Sequence, residues 1–443
     1  MAETTDIWIT MHIQQLRINH YKTVEEPIVI DHFSHVQILI GPNNSGKTNV
    51  LDAIEQFFNP APDPDRFYDS RADLELTLRL KSGEYISIKQ HKNIQQWLID
   101  GKKMQKNASA VVRIQRRVIR IGSATTDALK VAQELKQFSN THPAVYAEFC
   151  AMLKEYFNDI EISDRLFLAN VFSDRKDRPI DRMGEGFKRL FVMLFYLYHP
   201  DYDIVLIDEP ETHLHPTLIK KFVQVLKDKK LSNQIFLTTH SAVFVQPEHI
   251  AHIWRVSRDE SRNTKIYQLA GSRIALDPNR LEQELDADNS EMFFADKVLL
   301  VEGVSDRILM RGLIDRFYDG DLDIKVIFAN SKDNIDIYAK VFEAFQIPYM
   351  IMLDGDALRT HWSDVIAQAL YGNERVSRGR KIQLLRRSNI FILDGDLERS
   401  YPRKYQRRDD KKPINALRAA RQITLLDLES REMRVIKIIL ESV

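Results

Sequence analysis

Two groups of residues in this 443-residue chain have the types and spacing to handle phosphates. The first is the pattern Gly41-x-x-x-x-Gly46-Lys47-Thr48, a P-loop, in which backbone N–H groups cradle phosphates. An apolar strand pattern, 36–40, precedes it and a helical apolar pattern follows, which is the context that the motif requires. We therefore predict a nucleotide site with Lys47 on the β- and γ-phosphates and the Thr48 hydroxyl on Mg²⁺. The loop residues expected to bind are Asn43, Asn44, Ser45, Gly46, Lys47 and Thr48.

Two later apolar segments end in residues that complete such a site. Segment 203–207 ends in Asp208-Glu209, and segment 234–239 ends in His240. Asp208 is expected to hold Mg²⁺ directly or through water. Glu209 is expected to orient and polarise the attacking water, and His240 can sense a γ-phosphate.

The second group consists of acids in the final third of the chain. Glu302 and the pair Asp354 and Asp356 each follow a short apolar segment, and Asp306 lies about one helical turn beyond Glu302. Carboxyl ends of parallel strands meet at one edge of a sheet, so these acids are expected to gather there. Four hard oxygen ligands suit one or two Mg²⁺ or Mn²⁺ ions. Two ions about 4 Å apart would clamp the attacking and leaving oxygens of a phosphodiester. The alternative is a set of solvated turns.

The same strand-and-acid pattern recurs at Asp394-Gly395-Asp396, followed by Leu397-Glu398. Strand order favours 354–356 over 394–396 as the main pair. A basic run with two tyrosines, Tyr401 and Tyr405, comes next and predicts phosphate contacts and base stacking, or else a solvated loop. The basic residues are Arg399, Arg403, Lys404, Arg407, Arg408, Lys411 and Lys412.

Alternating strands and helices must position these residues. Met11 to Ile18 alternates like an edge strand, 74–89 reads as a hairpin, and 111–121 reads as a basic strand region. Residues 125–159 have a helical period that Pro143 interrupts. We predict an α/β chain in which the segment of about 90–165 is an insertion or helical lobe.

The chain is long enough for two domains. Residues 286–290 read as a linker, so we place the first domain at 1–288 and the second at 289–443. In the second, strand–helix alternation predicts a parallel, Rossmann-like sheet.

Composition narrows the function classes. The 63 basic and 63 acidic residues cancel, so composition alone does not indicate a nucleic-acid partner. A single cysteine, Cys150, excludes an internal disulfide framework and a cysteine metal cluster. The first residues lack the basic region of a signal peptide, and the longest apolar run, 190–198, is too short to span a bilayer. We expect a cytoplasmic protein with no membrane partner.

The order P-loop, Gly184-Glu185 helix entry, Ile207-Asp208-Glu209-Pro210 and Thr239-His240-Ser241 resembles the ABC-type ATPases of the SMC and RecF kind. The resemblance implies that Gly184 and Glu185 of one subunit face ATP on the P-loop of a second, and hence a homodimer. Arg182-Met183 stands where that family usually carries a serine before the glycine. A hydroxyl contact to the γ-phosphate is therefore missing, and rapid hydrolysis is not expected.

The acids Glu302, Asp354 and Asp356 resemble those of a Toprim domain, the metal-binding fold of topoisomerases, primases and some nucleases. An ABC-type ATPase followed by a Toprim domain is similar to the OLD (overcoming lysogenisation defect) family of nucleases. This resemblance implies a second metal on Glu398 and Asp396. It also implies a lysine that stabilises charge on the phosphate: Lys412 fits best, with Lys411 and Lys404 as rivals.

The resemblance implies a metal-dependent DNA endonuclease that uses Mg²⁺ or Mn²⁺ and that ATP switches through dimer packing. It further implies prokaryotic antiphage defence, beside a helicase or a reverse transcriptase (retron) partner. Two alternatives remain open. One is an RNA nuclease, such as a toxin that cuts transfer RNA. The other is a non-cutting DNA-repair ATPase of the RecF and SMC kind.

Overall fold

The computed structural model describes residues 12–57, 73–91, 94–105, 117–122, 128–157, 160–163, 168–171, 176–228, 231–269, 280, 284, 288–358, 363–407 and 410–443. The chain forms two compact units. The first contains residues 1–244 and 251–266, and the second contains 245–250 and 267–443. The predicted domain bounds of 1–288 and 289–443 stay a prediction. Among the described residues, none of the helices has the length and apolar character that crossing a bilayer requires.

The first unit contains strands, several of them in consecutive runs, and five α-helices among the described residues. The strands are β1 Ile13–Asn19, β2 Ile28–Ile30, β3 Val36–Ile40, β4 Leu74–Leu80, β5 Tyr85–His91, β6 Ile94–Ile99, β7 Lys102–Met104, β8 Val118–Ile121, β9 Ile160–Ser163, β10 Leu168–Val171, β11 Lys176–Pro179, β12 Ile204–Asp208, β13 Gln234–Thr238, β14 Ile253–Arg258 and β15 Thr264–Gln268. The α-helices are α1 Lys47–Gln56, α2 Ala128–Thr141, α3 Pro143–Tyr156, α4 Glu185–Tyr198 and α5 Pro216–Val225. Short 3₁₀ helices span Ile180–Arg182 and Ala242–Phe244, and the first four residues of a third, Pro247–His252, belong to the second unit.

A sheet of order β15-β14-β3-β13-β12-β8 positions the nucleotide motifs. Strands β14, β3, β13, β12 and β8 pair in parallel. Every residue of β3 and β13 is buried, which explains their continuous apolar sequence. The carboxyl ends of β3, β12 and β13 lie side by side, so the P-loop, Asp208-Glu209 and His240 reach one edge of the sheet.

An antiparallel sheet of order β2-β1-β4-β5-β6-β7 lies in the same unit. The predicted hairpin is confirmed, because β4 pairs with β5 from Leu74↔Gln90 to Arg79↔Tyr85. The prediction of an edge strand at 11–18 was wrong. Strand β1 pairs with β2 on one side and β4 on the other, and the three-residue β2 gave too short a pattern to recognise.

The segment predicted as an insertion contains strands as well as helices. Strands β6 and β7 extend the antiparallel sheet, and β8 is the outer strand of the parallel sheet, paired with β12. Two helices, α2 and α3, meet at Pro143, where the period was interrupted. Helix α4 is buried from Arg189 to Tyr198 because aromatic rings such as Phe138 and Phe149 cover its outer face.

The second unit is built on a parallel sheet of order β17-β16-β18-β19. Its strands are β16 Lys297–Val301, β17 Ile324–Phe328, β18 Tyr349–Leu353 and β19 Ile390–Ile392. Its α-helices are α6 Val304–Phe317, α7 Ile335–Ala344, α8 Asp364–Ala369, α9 Arg378–Arg387, α10 Lys412–Gln422, α11 Leu425–Leu428 and α12 Arg434–Ser442. Its 3₁₀ helices span Asn289–Phe294, Lys332–Asn334, Leu397–Arg399 and Arg403–Tyr405.

Tight helix packing closes one face of this sheet. A Cβ on Gly312 would lie 2.7 Å from Cβ of Ala420, so helices α6 and α10 approach each other closely at that glycine. The register aligns Val301 with both Phe328 and Met352, and Leu353 with Ile392. The residues that follow these positions therefore share the carboxyl edge of the sheet, as the alternation predicted.

Candidate nucleotide site and metal centre

The P-loop joins buried strand β3 to helix α1 through backbone conformations that favour glycine. φ is +141° at Gly41 and +103° at Gly46. A Cβ on Gly41 would lie 2.0 Å from the carbonyl oxygen of Val256, and one on Gly46 would lie 2.6 Å from Oγ1 of Thr264. The loop can therefore pass this close to its neighbours only with glycine at both positions.

Lys47 is a buried cation held by neutral groups. Its Nζ donates hydrogen bonds to the carbonyl oxygens of Gly41, at 3.0 Å, and Pro42, at 2.8 Å. Burial lowers the pKa of Lys47 to about 8, and the charges of Glu209, Glu211 and Asp208 partly oppose that effect. A buried ammonium beside a glycine loop fits a phosphate, which would supply the close negative charge.

Thr48 and Asp208, predicted as Mg²⁺ ligands, meet at the end of β12. The Thr48 Oγ1 donates to Oδ1 of Asp208 at 3.4 Å, and the Thr238 hydroxyl donates to the same oxygen. The other carboxylate oxygen accepts from Nη2 of Arg120 at 3.3 Å. Sequence reasoning missed Arg120, although its place in the basic strand region was a signal. The site thus has an oxygen pair suited to Mg²⁺ with a guanidinium beside it.

Glu209 and His240 are also brought together. Oε1 of Glu209 lies 3.4 Å from Nε2 of His240, and the backbone N–H of His240 donates to Oε1 of Glu211 at 2.6 Å. Burial and the charge of Lys47 lower the pKa of His240, whereas Glu209 raises it. Glu209 has a φ of +48°, which turns the chain sharply after the strand. A water between this carboxylate and a bound nucleotide is the arrangement that hydrolysis needs.

Arg189, which was not predicted, binds the backbone of the turn at Asp208-Glu209. Its side chain is fully buried in helix α4. Nη2 donates to the carbonyl oxygens of Asp208 and Glu209, both at 2.8 Å, and Nη1 donates to that of Gly122 at 2.9 Å. An arginine directly before the apolar run 190–198 of the same helix was the signal that could have found it.

Gly184 and Glu185 begin helix α4 and are exposed. Space is open around the position of a Cβ on Gly184. The Glu185 carboxylate accepts from Nζ of Lys188 at 2.7 Å. The predicted contact of these residues with ATP on a second subunit stays a prediction.

In the second unit, Glu302, Asp354 and Asp356 converge at the carboxyl edge. One carboxylate oxygen from each lies within 4.8 Å of the others. The backbone N–H of Asp354 donates to Oε1 of Glu302 at 2.8 Å, which ties the ends of β16 and β18 together. Strand order explains the meeting, because β18 is the direct neighbour of β16 and β19 is one strand further away.

Burial and crowding make two of these acids, Glu302 and Asp354, hard to ionise without a cation. Burial, then the charges of Glu302 and Asp356, raise the pKa of Asp354 to about 7. Burial also raises the pKa of Glu302. Several hard oxygens with raised pKa values fit a divalent ion, which would neutralise them together.

Asp306 lies next to this cluster but has a structural contact of its own. Its Oδ2 accepts from the backbone N–H of Gly303 at 2.9 Å, which caps helix α6. Burial and the charge of Asp354 raise the pKa of Asp306 to about 6. Asp306 is thus close enough to act on the cluster electrostatically while it holds the helix start.

Lys332 is a residue of this site that sequence reasoning missed. Its ammonium contacts Oδ1 of Asp356 and lies 3.7 Å from Oε2 of Glu302. It follows strand β17, which ends at the same edge of the sheet, so its place after a strand was the available signal. The side chain supplies a positive charge where two candidate metal ligands face each other.

The loop 394–396, here called the second acid loop, packs directly against the loop 354–356, the first acid loop. The backbone N–H of Gly355 donates to the carbonyl oxygen of Gly395 at 2.7 Å. A Cβ on Gly355 would lie 2.8 Å from the carbonyl oxygen of Leu393. Asp354 and Asp396 therefore stand on touching loops, and the charge of Asp396 contributes to the raised pKa of Asp354.

Glu398 and Lys412 form a pair beside these loops. Nζ of Lys412 lies 3.2 Å from Oε1 of Glu398, which raises the pKa of the lysine. The rival Lys404 is held elsewhere, 2.6 Å from Oδ1 of Asp427. Lys411 is exposed at the start of α10.

The expectation that Tyr401 and Tyr405 stack on bases was wrong. Tyr401 is 1% exposed and Tyr405 is 8% exposed, because both rings pack in the core of the second unit. The hydroxyl of Tyr405 donates to Asp427. Alternation of aromatic and basic residues looked like a binding surface, but the rings turn inward and only the basic side chains reach the surface. Arg408 lies outside the described residues.

Models of known domain families match segments in both parts of the chain. The AAA ATPase domain model matches residues 11–102, and an AAA domain model named for the AbiEii toxin of Type IV TA systems matches 77–246. A model of the overcoming lysogenization defect protein-like TOPRIM domain matches 293–356, which contain Glu302, Asp354 and Asp356. The chain joins a P-loop ATPase domain to an OLD-like TOPRIM domain. The resemblance drawn from the motifs is confirmed.

Curated relatives match parts of the chain. The uncharacterized protein MJ1542 of Methanocaldococcus jannaschii is 26% identical over 47% of this chain and 27% of its own length. The OLD nuclease of Thermus scotoductus is 29% identical over 40% of this chain and 36% of its own. The Old nuclease of Escherichia phage P2 is 24% identical over 46% of this chain and 41% of its own. The matched part thus spans between about a quarter and two fifths of these relatives.

Proposed function

We propose that this chain is a divalent-metal-dependent DNA endonuclease whose cutting is regulated by ATP. The observation that carries the proposal is the convergence of Glu302, Asp354 and Asp356 from neighbouring strands. Such acids repel one another and DNA phosphates, so a surface that only binds DNA gains nothing from them. The relatives named OLD nuclease add support, because they are 29% and 24% identical to this chain over the matched parts.

Glu302, Asp354 and Asp356 would hold one ion, and Glu398 with Asp396 a second. Bound Mg²⁺ or Mn²⁺ would supply Lewis-acid stabilisation of the phosphodiester oxygens. Lys412 is the candidate for holding negative charge on the phosphate, because its exposed ammonium lies beside Glu398 at the same edge. Asp306 remains a proposed further ligand of the first ion, and it fixes the start of helix α6, directly after Glu302, through the N–H of Gly303.

In the ATPase domain, Lys47 would bind the β- and γ-phosphates, and Thr48 and Asp208 would hold Mg²⁺. Glu209 would orient the attacking water, with His240 at 3.4 Å as the group that senses the γ-phosphate. The exposed helix start at Gly184-Glu185 is available to a second copy, which supports a homodimer closed by ATP. ATP would then change dimer packing rather than drive each cut.

A cytoplasmic role in prokaryotic antiphage defence, with a helicase or reverse transcriptase partner, belongs to the same proposal by family resemblance. The RNA-nuclease alternative shares the acid cluster and differs in substrate. The non-cutting ATPase alternative leaves the convergence of three acids without a purpose.

The test is plasmid cleavage with Mg²⁺ or Mn²⁺ by the wild type and by Glu302→Gln, which keeps size and removes charge. Glu432→Gln, an exposed residue of the same unit, is the matched control. We expect cutting by the wild type and the control and its loss in Glu302→Gln. Equal cutting by Glu302→Gln would reject the metal site. The same assay is run with RNA, and cutting of RNA alone would select the alternative substrate.

A further inference from the structure

A strongly basic helix borders the carboxyl edge of the TOPRIM sheet, where the clustered acids lie. Residues 375–387, which include helix α9, contain no acid, although the basic and acidic residues of the whole chain are equal in number. The basic residues are Arg375, Arg378, Arg380, Lys381, Arg386 and Arg387. The preceding acid, Glu374, is turned to the backbone, where its carboxylate accepts from the N–H of Gly372 at 2.9 Å.

One contact fixes this helix beside the candidate metal centre. Nη2 of Arg378 donates to the carbonyl oxygen of Gly355 at 2.9 Å, and Gly355 lies between Asp354 and Asp356. Helix α9 leads into β19, whose end carries the second acid loop. The helix start therefore lies at the same edge as the acids, where a phosphodiester would have to arrive.

The helix start is also open. Ser377, the N-cap residue, makes no side-chain capping hydrogen bond. The first N–H groups of an α-helix have no partner within the helix and attract anions. A phosphate near Arg378 would satisfy them and the guanidinium together.

The arginines of this surface are not neutralised. No described carboxylate forms an ion pair with Arg375, Arg380 or Arg387, and all three are exposed. In the basic run 399–412, by contrast, Lys404 pairs with Asp427 and Lys412 with Glu398. Unpaired like charges on one helix repel each other. A polyanion would remove that repulsion.

The spacing suits a long ligand rather than a single anion. Arg380 and Arg387 are seven residues apart, which is two helical turns, so they lie on one face with their backbones roughly 10 Å apart. Arg375 extends the charge beyond the helix start. A track of separated cations leading to a metal centre matches a polyphosphate backbone better than a compact ligand.

We propose that Arg375 and helix α9 form a DNA backbone-binding surface that guides the duplex to the TOPRIM acids. The inference rests on the proposed function and names the part of the molecule that holds its substrate. Contacts to phosphates do not distinguish base sequences, so the surface would bind duplexes of different sequence equally.

The test measures binding without cutting. Fluorescence anisotropy of a labelled DNA duplex is recorded in EDTA over a series of salt concentrations, with the wild type and R380Q/R387Q. The logarithm of the binding constant falls with the logarithm of the salt concentration. Each lost phosphate contact reduces the magnitude of this negative slope by about 0.9, so the double variant should lose about 1.8 of it. R375Q, in a loop before the helix, should lose about 0.9 by the same rule.

R431Q/R434Q is the matched control, because it removes two exposed arginines of the same unit from helix α12 and the residues before it. An unchanged slope in both test variants, or an equal loss in the control, would overturn the surface. The same titration is repeated with a labelled RNA duplex, and a loss confined to RNA would overturn the assignment to DNA. If the wild type cuts DNA while the slopes stay unchanged, the surface is wrong and the nuclease stands. A wild type that neither binds nor cuts rejects both.

Discussion

Replacing Lys332 by alanine should raise the affinity of the TOPRIM domain for Mn²⁺. The ammonium contacts Asp356 and lies 3.7 Å from Glu302, so it acts as a counter-ion to two of the three clustered acids. A divalent ion that binds these acids must displace or face this positive charge. Alanine removes the competitor and leaves the carboxylates in place.

The size of the effect follows from distance and exposure. Two unit charges 3.7 Å apart attract by about 4.5 kcal/mol at an effective dielectric constant of about 20, and by about 1.1 kcal/mol in water. The Lys332 side chain is 32% exposed, so the lower value applies more closely. We expect the metal-free protein to lose about 1 kcal/mol of unfolding free energy and Mn²⁺ binding to tighten about fivefold.

Calorimetric titration of Mn²⁺ into the nucleotide-free chain measures this affinity, and Asp354→Asn identifies the heat that belongs to the acid cluster. Lys325→Ala is the matched control. Lys325 is also 32% exposed and also has two acid partners, Asp323 at 3.4 Å and Glu291 at 3.9 Å, away from the cluster. Equal or weaker Mn²⁺ binding in Lys332→Ala, or the same gain in the control, would refute the counter-ion role.

Three further predictions concern the two sites. Lys47→Ala removes the buried ammonium of the P-loop and should abolish binding of a fluorescent ATP analogue while thermal unfolding still shows a folded chain. Arg189→Met leaves three partly buried carbonyl groups without this donor and should cost about 3 kcal/mol in denaturant unfolding. Gly355→Ala forces a Cβ within 2.8 Å of the Leu393 carbonyl and should weaken Mn²⁺ binding. Gly379→Ala, with open space around its Cβ in helix α9, should instead stabilise the fold by roughly 0.5–1 kcal/mol. An equal loss of Mn²⁺ binding in the two variants would contradict the packing argument.

Short-range patterns predicted the functional elements because each depends on neighbours in sequence. The P-loop needs a strand before it and a helix after it, and both were visible around Gly41 and Lys47. The hairpin at 74–89 likewise followed from alternation around Gly83. The short strand β2 carried too few residues to show a period, so β1 was wrongly taken for an edge.

Side-chain direction was harder to predict than element type. Tyr401 and Tyr405 lie in a basic segment that reads as a binding surface, yet their rings complete the core of the second unit. The 3₁₀ turns around them have no long period from which an inward face could be recognised. Their burial leaves phosphate contacts, not stacking, as the role open to that run.

The sequence by itself determined which residues could do chemistry, since a glycine-framed lysine or an acid after an apolar strand is written in consecutive positions. Tertiary structure decided which of them meet. The strand order β17-β16-β18-β19 put Asp354 beside Glu302, brought Lys332 between Glu302 and Asp356, and set Arg378 against Gly355. Those neighbours are far apart along the chain, and their meeting depends on long-range strand pairing that no local pattern encodes.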